Sequence, residues 1–245
     1  MQSADIMEAC DLPKATVHRI CSLLLERNYL RHAIGRRGLV PGPELHQLAT
    51  TVFASKSNYA LRHAILEKVA RGTGETCNLA RPDGTAMVYW DRVETEWPLK
   101  VQMPIGTRVP LHCSASGKMY LSSLPPARRK QFIKTLELRP NTDNSITDLD
   151  ALERELDRVA KAQMATDDQE FSDSMIAVAV AVKDLSGRLY ATLSIHAPVF
   201  RMDLEGALKH IDLLRAAADE LRSDIALSQE SDQSRNASDK VAGAS

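Results

Sequence analysis

The run Cys113-Ser114-Ala115-Ser116-Gly117 is the part of this chain whose residue types best suit a small bound molecule. Small residues that open directly into a helix offer backbone N–H groups and the positive helix end beside short hydroxyls, an arrangement that receives a carboxylate. Ser194 and His196 stand two apart in a strand-like run, so their side chains emerge on one face. Together these residues predict a cleft for an acidic ligand. Each also has a plainer use. Ser114 and Ser116 can cap a helix, His196 can be a satisfied core histidine, and Cys77 and Cys113 can be small hydrophobes.

Enzymatic readings of the same residues fail on spacing. A phosphate-binding loop needs glycine five positions before Gly117 and Ser or Thr after Lys118, where His112 and Met119 stand. No Gly-x-Ser-x-Gly elbow occurs. A thiol activated by His112 beside Cys113 is poorly placed, because neighbours on a strand face opposite ways. His112, Cys113, His196 and Asp167 include metal-ligand types, but no pair has a metal-binding spacing. No catalytic residue, metal or cofactor is therefore expected.

A second chemistry lies at the start. A short helix over Ser3–Cys10, a turn at Asp11-Leu12-Pro13 and a helix from Lys14 to about Arg27 have the spacing of a helix-turn-helix. In the second helix Val17, Ile20, Cys21 and Leu24 share one face, while Lys14, Thr16, His18, Arg19 and Ser22 face away. Cations and short hydrogen-bonding tips on one helix face suit the major groove of double-stranded DNA. The stretch Tyr29–Val40, with a turn between Gly35 and Gly38, reads as a wing. From Leu12 to Gly42 the bases Lys14, Arg19, Arg27, Arg31, Arg36 and Arg37 meet one acid, Glu26, whereas the whole chain carries 31 basic and 32 acidic residues. The positive charge is local, as phosphate binding requires. A small helical subdomain with an ordinary solvated face is the plainer alternative.

The elements that must position these groups follow from periodicity. The 245 residues suit a small domain plus a medium one. No apolar run reaches transmembrane length and the start lacks a secretory layout, so a cytoplasmic protein is expected. The four cysteines lie far apart, without a disulfide framework or zinc spacing, and are expected as reduced thiols. The spacing predicts a DNA-binding domain over 1–43, a linker helix over 44–57, an effector-binding domain over 58–227 and a disordered tail over 228–245. In the third part, helices are expected at Asn58–Arg71, Ser116–Leu124, Pro126–Leu138, Asp148–Met164 (capped from Thr147) and Asp203–Leu227. Strands are expected at Thr76–Ala80, Ala86–Arg92, Leu99–Met103, Met175–Val182 and Leu189–His196, with Pro82-Asp83-Gly84 turning the first hairpin. The class is α+β, with helices flanking an antiparallel sheet.

The order of Leu12-Pro13-Lys14-Ala15-Thr16-Val17-His18-Arg19, Gly74-Glu75-Thr76-Cys77-Asn78-Leu79, Asp91-Arg92-Val93-Glu94, Cys113-Ser114-Ala115-Ser116-Gly117-Lys118 and Asp184-x-x-Gly187 closely resembles the IclR family of bacterial transcriptional regulators. The resemblance spans residues 3 to about 227. It implies a winged helix-turn-helix, a linker helix and a GAF-like effector-binding domain, working as a dimer or tetramer on palindromic operators. Lys14, Thr16, His18 and Arg19 then fall on the recognition helix and Arg31, Arg36 and Arg37 on the wing. Effector contacts fall at Ala115, Ser116, Asp167, Ala177, Ser194 and His196, beside Cys113. Family members carry about one more helix before the helix-turn-helix, so the DNA-binding domain is expected to be incomplete as given. Its loss would expose Ile6, Met7, Val17 and Ile20, an area worth roughly several kcal/mol. The alternative is a stand-alone sensor module with impaired DNA binding. Ser174 replaces a usual glycine and Ala181 a frequent proline.

Overall fold

The structure, a computed structural model, describes residues 6–7, 10, 12–33, 38–45, 56–97 and 103–223. The chain divides into two compact units, Met1–Tyr59 and Ala60–Ser245.

In the first unit α1 spans Lys14–Glu26 and buries Val17 and Cys21. Leu24 is half-buried, but Ile20 lies 39% exposed, which corrects its expected place on the buried face. Val17, expected to be uncovered, is 1% exposed, and Ile6 and Met7 are half-buried. The helix ends as Asn28 turns to φ +57, and β1 (Leu30–His32) pairs antiparallel with β2 (Leu39–Pro41). Gly42 closes this hairpin against the turn, since a Cβ there would come within 2.1 Å of the Asn28 carbonyl oxygen. The wing tip with Arg36 and Arg37 lies outside the described residues, as do most of the expected first helix and of the 44–57 linker, and the 228–245 tail.

Helix α2 (Lys56–Thr73) begins in the last residues of the first unit and, in the second, precedes the hairpin β3 (Thr76–Asp83) and β4 (Ala86–Val93). Next come β5 (Arg108–Pro110), α3 (Ala115–Ser123), α4 (Pro126–Ile133), α5 (Leu149–Ala162) and β6 (Ala165–Asp168). The chain closes with β7 (Met175–Lys183), β8 (Leu189–Pro198), α6 (Leu204–Leu208) and α7, helical residues 211–223. The strands form one six-stranded sheet in the order β5-β4-β3-β8-β7-β6, antiparallel throughout.

Alternation along the strands sorts this sheet into two unlike faces. Cys77, Leu79, Val178, Val180, Leu193 and Ile195 face α2, α6 and α7, where Leu66, Val69, Leu214 and Leu221 complete an apolar core. The opposite side of β7 presents Ala177 and Ala179, and these small residues let α3 approach with Ala115 and Met119. Gly117 is part of that fit, because a Cβ would sit 2.4 Å from the Leu111 backbone. Further along the same side, Met87, Tyr89, Leu121, Leu152 and Leu156 pack as a second core.

Several expected boundaries move. Pro82 and Asp83 stay paired with Met87 and Ala86, and the turn is Gly84-Thr85 with Gly84 at φ +59. The α5 cap is Asp148, not Thr147, because the Asp148 side chain accepts from the Ala151 amide at 2.8 Å. The single C-terminal helix expected from Asp203 is broken, since Lys209 and His210 donate to carbonyls three residues back and interrupt the α-helical ladder. Strands β5 and β6 escape the periodicity because they are only 3 and 4 residues long. Residues 99–102 of the expected Leu99–Met103 strand lie outside the described residues.

The cap assignment is testable. Asp148→Ala should cost about 1 kcal/mol, about 2–4 °C in melting temperature, while Thr147→Ala stays within about 0.5 kcal/mol. Equal losses in the two variants would refute it.

Candidate functional site

On the α3 side of the sheet the register sets two polar rows. Thr76, His196, Ala177 and Asp167 lie side by side across β3, β8, β7 and β6. One step further, Arg92, Asn78, Ser194, Ala179 and Ala165 form the next row across β4, β3, β8, β7 and β6. A narrow cleft of about 30 Å³ opens over the first row, lined by Thr76, Arg92, Asp167 and His196 and walled by Met103, Phe171, Ser172, Met175, Ile176 and Arg201.

Of the residues singled out from sequence, Asp167 and His196 line this cleft. Cys113, Ala115, Ser116, Ala177 and Ser194 are buried on the same face of the sheet, behind the lining. The structure joins three of these groups directly: Ser116 Oγ donates to Ser194 Oγ at 3.3 Å, and Ser194 Oγ lies 3.2 Å from His196 Nε2. The helix end expected to receive a carboxylate is capped in part by the chain itself. Ser114 Oγ accepts from the Gly117 amide at 3.1 Å, and the Lys118 amide bonds the Ser114 carbonyl at 2.9 Å. Sequence reasoning missed Thr76 and Arg92, which line the cleft, and Asn78, buried in the row behind it. Their signal was present as polar side chains at alternate positions of otherwise apolar strands.

Charge in the cleft is unusual. Burial pushes the Asp167 carboxyl up to about 7, opposed by amide bonds from Glu170 at 2.8 Å and Phe171 at 3.2 Å. Enclosure pushes the His196 ring down to about 4, and the Arg92 charge adds to the effect, so the ring is neutral at pH 7. The Arg92 side chain is 7% exposed and its Nε lies 3.6 Å from Glu94 Oε1. Behind Asp167, Lys118 is 1% exposed and pairs with Glu170 and, at 3.3 Å, with Glu155. Burial pushes the Cys113 thiol up to about 12, with Asp167 adding to it, so it stays protonated and is no nucleophile. His112 Nε2 lies 2.9 Å from the Arg139 carbonyl oxygen, and among the described residues no three metal-ligand types converge.

In the N-terminal unit Lys14, His18 and Arg19 on α1 and Arg31 on β1 are exposed, and Thr16 is half-exposed. Burial of Val17 and Cys21 on the other side of α1 fixes this orientation.

Comparison with known proteins finds the helix-turn-helix domain of IclR over residues 1–33 and the C-terminal domain of IclR bacterial transcriptional regulators over residues 55–223. The chain belongs to the IclR family. It is 39% identical over 218 residues to "Probable transcriptional regulator SauR" of Cupriavidus necator, covering 89% of this chain and 86% of that one. The crystal structure of Thermotoga maritima IclR matches with a TM-score of 0.66 at 28% identity, over 91% of this chain and 90% of that one. The inducer-binding domain of a PobR transcription factor double mutant from Acinetobacter, in complex with 3-hydroxybenzoic acid, matches with a TM-score of 0.61 at 26% identity, over 65% of this chain and 94% of that one. This is thus a transcriptional regulator, of a family that binds DNA, and not an enzyme. No helix among the described residues is long and apolar enough to cross a membrane.

The departure at Ser174 has a structural cost, since Ser174 holds φ +62 beside the cleft wall, a region that glycine enters freely and serine does not.

Asp167 makes stability depend on pH. Its folded value lies above the unfolded one, so its contribution is present below about pH 4 and is lost as pH rises towards 7. Asp167→Asn keeps an acceptor for both amides and removes the charge. Its stability relative to the parent protein should grow by about 2–3 kcal/mol between about pH 5 and pH 8 in urea titrations. A gap that does not change with pH would contradict this.

Proposed function

We propose that this protein controls transcription by binding operator DNA through α1 and the wing, and that a small carboxylate-bearing effector in the α3-side cleft adjusts that binding. The observation that carries the second half is the Arg92 guanidinium, enclosed in a cleft whose histidine is neutral and whose carboxyl titrates near 7. An anion entering there gains a cation and meets little fixed negative charge, because Asp167 takes up a proton as the anion arrives. The bound 3-hydroxybenzoic acid of the PobR domain supports an aromatic acid as one form of the effector.

The parts divide the work as 1–43 for DNA, 44–57 as linker, 58–227 for the effector and 228–245 as a tail. Lys14, Thr16, His18, Arg19 and Arg31 contact DNA, with Arg36 and Arg37 at the wing tip. Cys113, Ala115, Ser116, Asp167, Ala177, Ser194 and His196 surround the effector, with Arg92 as its counter-charge. The protein acts in the cytoplasm as a dimer or tetramer, its two recognition helices reading half-sites about 34–36 Å apart. The response starts at β4. Arg92 faces the cleft, while its neighbour Asp91, fully buried, holds α2 through Arg62 Nε at 3.2 Å and His63 Nδ1 at 2.9 Å. A pull on Arg92 therefore reaches α2, and through the linker it changes the spacing of the recognition helices.

Fluorescence anisotropy of the protein on the intergenic DNA beside its own gene, at two salt concentrations, tests this. Specific binding should weaken with salt. Arg19→Ala should lower it by about 1–3 kcal/mol and leave acid binding by calorimetry unchanged. Arg92→Ala should keep DNA binding but lose the response to added aromatic acids. Equal loss of DNA and acid binding in Arg19→Ala would make Arg19 structural and sink the assignment.

A further inference from the structure

Asn78 is fully buried on β3, and neither its amide nitrogen nor its carbonyl oxygen has a hydrogen-bond partner. Such a group costs free energy relative to an apolar side chain, and natural cores rarely keep one without a use. Its surroundings make the omission more telling. In its row Asn78 stands between Arg92, which lines the cleft, and Ser194, which bonds Ser116 and His196. Two residues before it on the same face, Thr76 lines the cleft, and two residues after it Ala80 fills the equivalent position with a methyl group. Apolar packing is thus available to this strand one repeat away, and at 78 the chain carries a donor and an acceptor that nothing answers.

Resting on the reading that the cleft holds an acidic effector, we infer that Asn78 is a specificity-determining residue, and that the effector is a small acid bearing a second polar group, a hydroxyl or a carbonyl, which the Asn78 carboxamide binds. Neighbouring strands place the Arg92 and Asn78 backbones about 5 Å apart, so the two polar ends of the ligand are separated by only a few bonds. The ligand's carboxylate faces Arg92, which lines the cleft. Its hydroxyl or carbonyl reaches the second row, accepting from Asn78 Nδ2, and a hydroxyl also donates to Oδ1. The adjoining Ser116–Ser194 bond, long at 3.3 Å, leaves hydroxyls that can turn towards the same group. A plain carboxylic acid of equal size would leave the amide unanswered, which discriminates far more strongly than one missing methylene does.

Calorimetry on the full chain with two matched pairs, 3-hydroxybenzoate against benzoate and lactate against propionate, tests the inference. In at least one pair the hydroxylated acid should bind tenfold or more tightly. Asn78→Ala and Asn78→Leu should bring that ratio to within twofold while the plain acid still binds. Binding of both members of a pair without preference, or a preference that survives in both variants, overturns the role of Asn78 and leaves the acid cleft standing. If none of the four acids binds, the acid reading itself fails and takes the inference with it. Melting of the protein without added acid decides whether the amide serves the fold. Asn78→Leu should melt at or above the temperature of the parent chain, whereas a fall in both variants means that Asn78 holds a structural water, and the inference is wrong.

Discussion

The alternation of side chains across β3, β8 and β7 is the constraint on which the second unit rests. Each strand must serve two masters, because successive residues point to opposite layers. In β7 the outcome is a row of valines towards α2 and α7 and a row of alanines towards α3. In β8 it is Leu193 and Ile195 on one side, Ser194 and His196 on the other. A register slip of one residue would bury the serine and histidine in the apolar core and turn the leucine into the cleft. The fold therefore cannot shift its sheet without losing both layers at once.

This division of labour lets one face be costly. The α2 side is apolar almost throughout, and its closely packed aliphatic side chains supply stability. The α3 side encloses Arg92, Asn78, Asp167, Lys118 and Glu170, and Lys118 pairs with Glu170 and with Glu155. Burial of so many polar groups does not strengthen a fold, since ion pairs taken out of water rarely repay their desolvation. Their concentration beside one cleft is what marks this face as the place where binding matters.

Much of this was legible in the sequence, for identifiable reasons. The valine and alanine alternation of Met175–Val182, the amphipathic Asp148–Met164 stretch and the basic head carry strong periodic or charge signals, and each element stands within a few residues of its expected place. The weaker parts failed where local pattern is not the deciding influence. Strands of 3 or 4 residues show no period, and Thr147 and Asp148 are both good caps until the backbone chooses between them. Ile20 has the spacing of a core residue, yet burial depends on what packs there, and spacing alone does not report that. The site was half visible. Ser194 and His196 advertise themselves in an apolar strand, but Asn78 and Arg92 join them only through cross-strand register, between segments more than 100 residues apart in the case of Asn78 and Ser194.

That register also explains why Asp91 and Arg92 occur together. The hairpin shifts register between Leu79 and Ala80, so that Leu79 faces Asp91 and Ala80 faces Tyr89, leaving Trp90 without a direct partner. The extra residue turns Trp90 towards α2, where Arg62 stacks on its ring at 3.9 Å, next to the bond between Arg62 and Asp91. Without the bulge, strict alternation would send Trp90 to the same side as Arg92, into the cleft. With it, β4 gives α2 both an aromatic surface and a buried carboxylate, and still delivers a guanidinium to the opposite face one residue later. A bulge that re-aims side chains beside a binding site is a common device in sheets, and here it makes two consecutive residues the shortest covalent path between the cleft and α2.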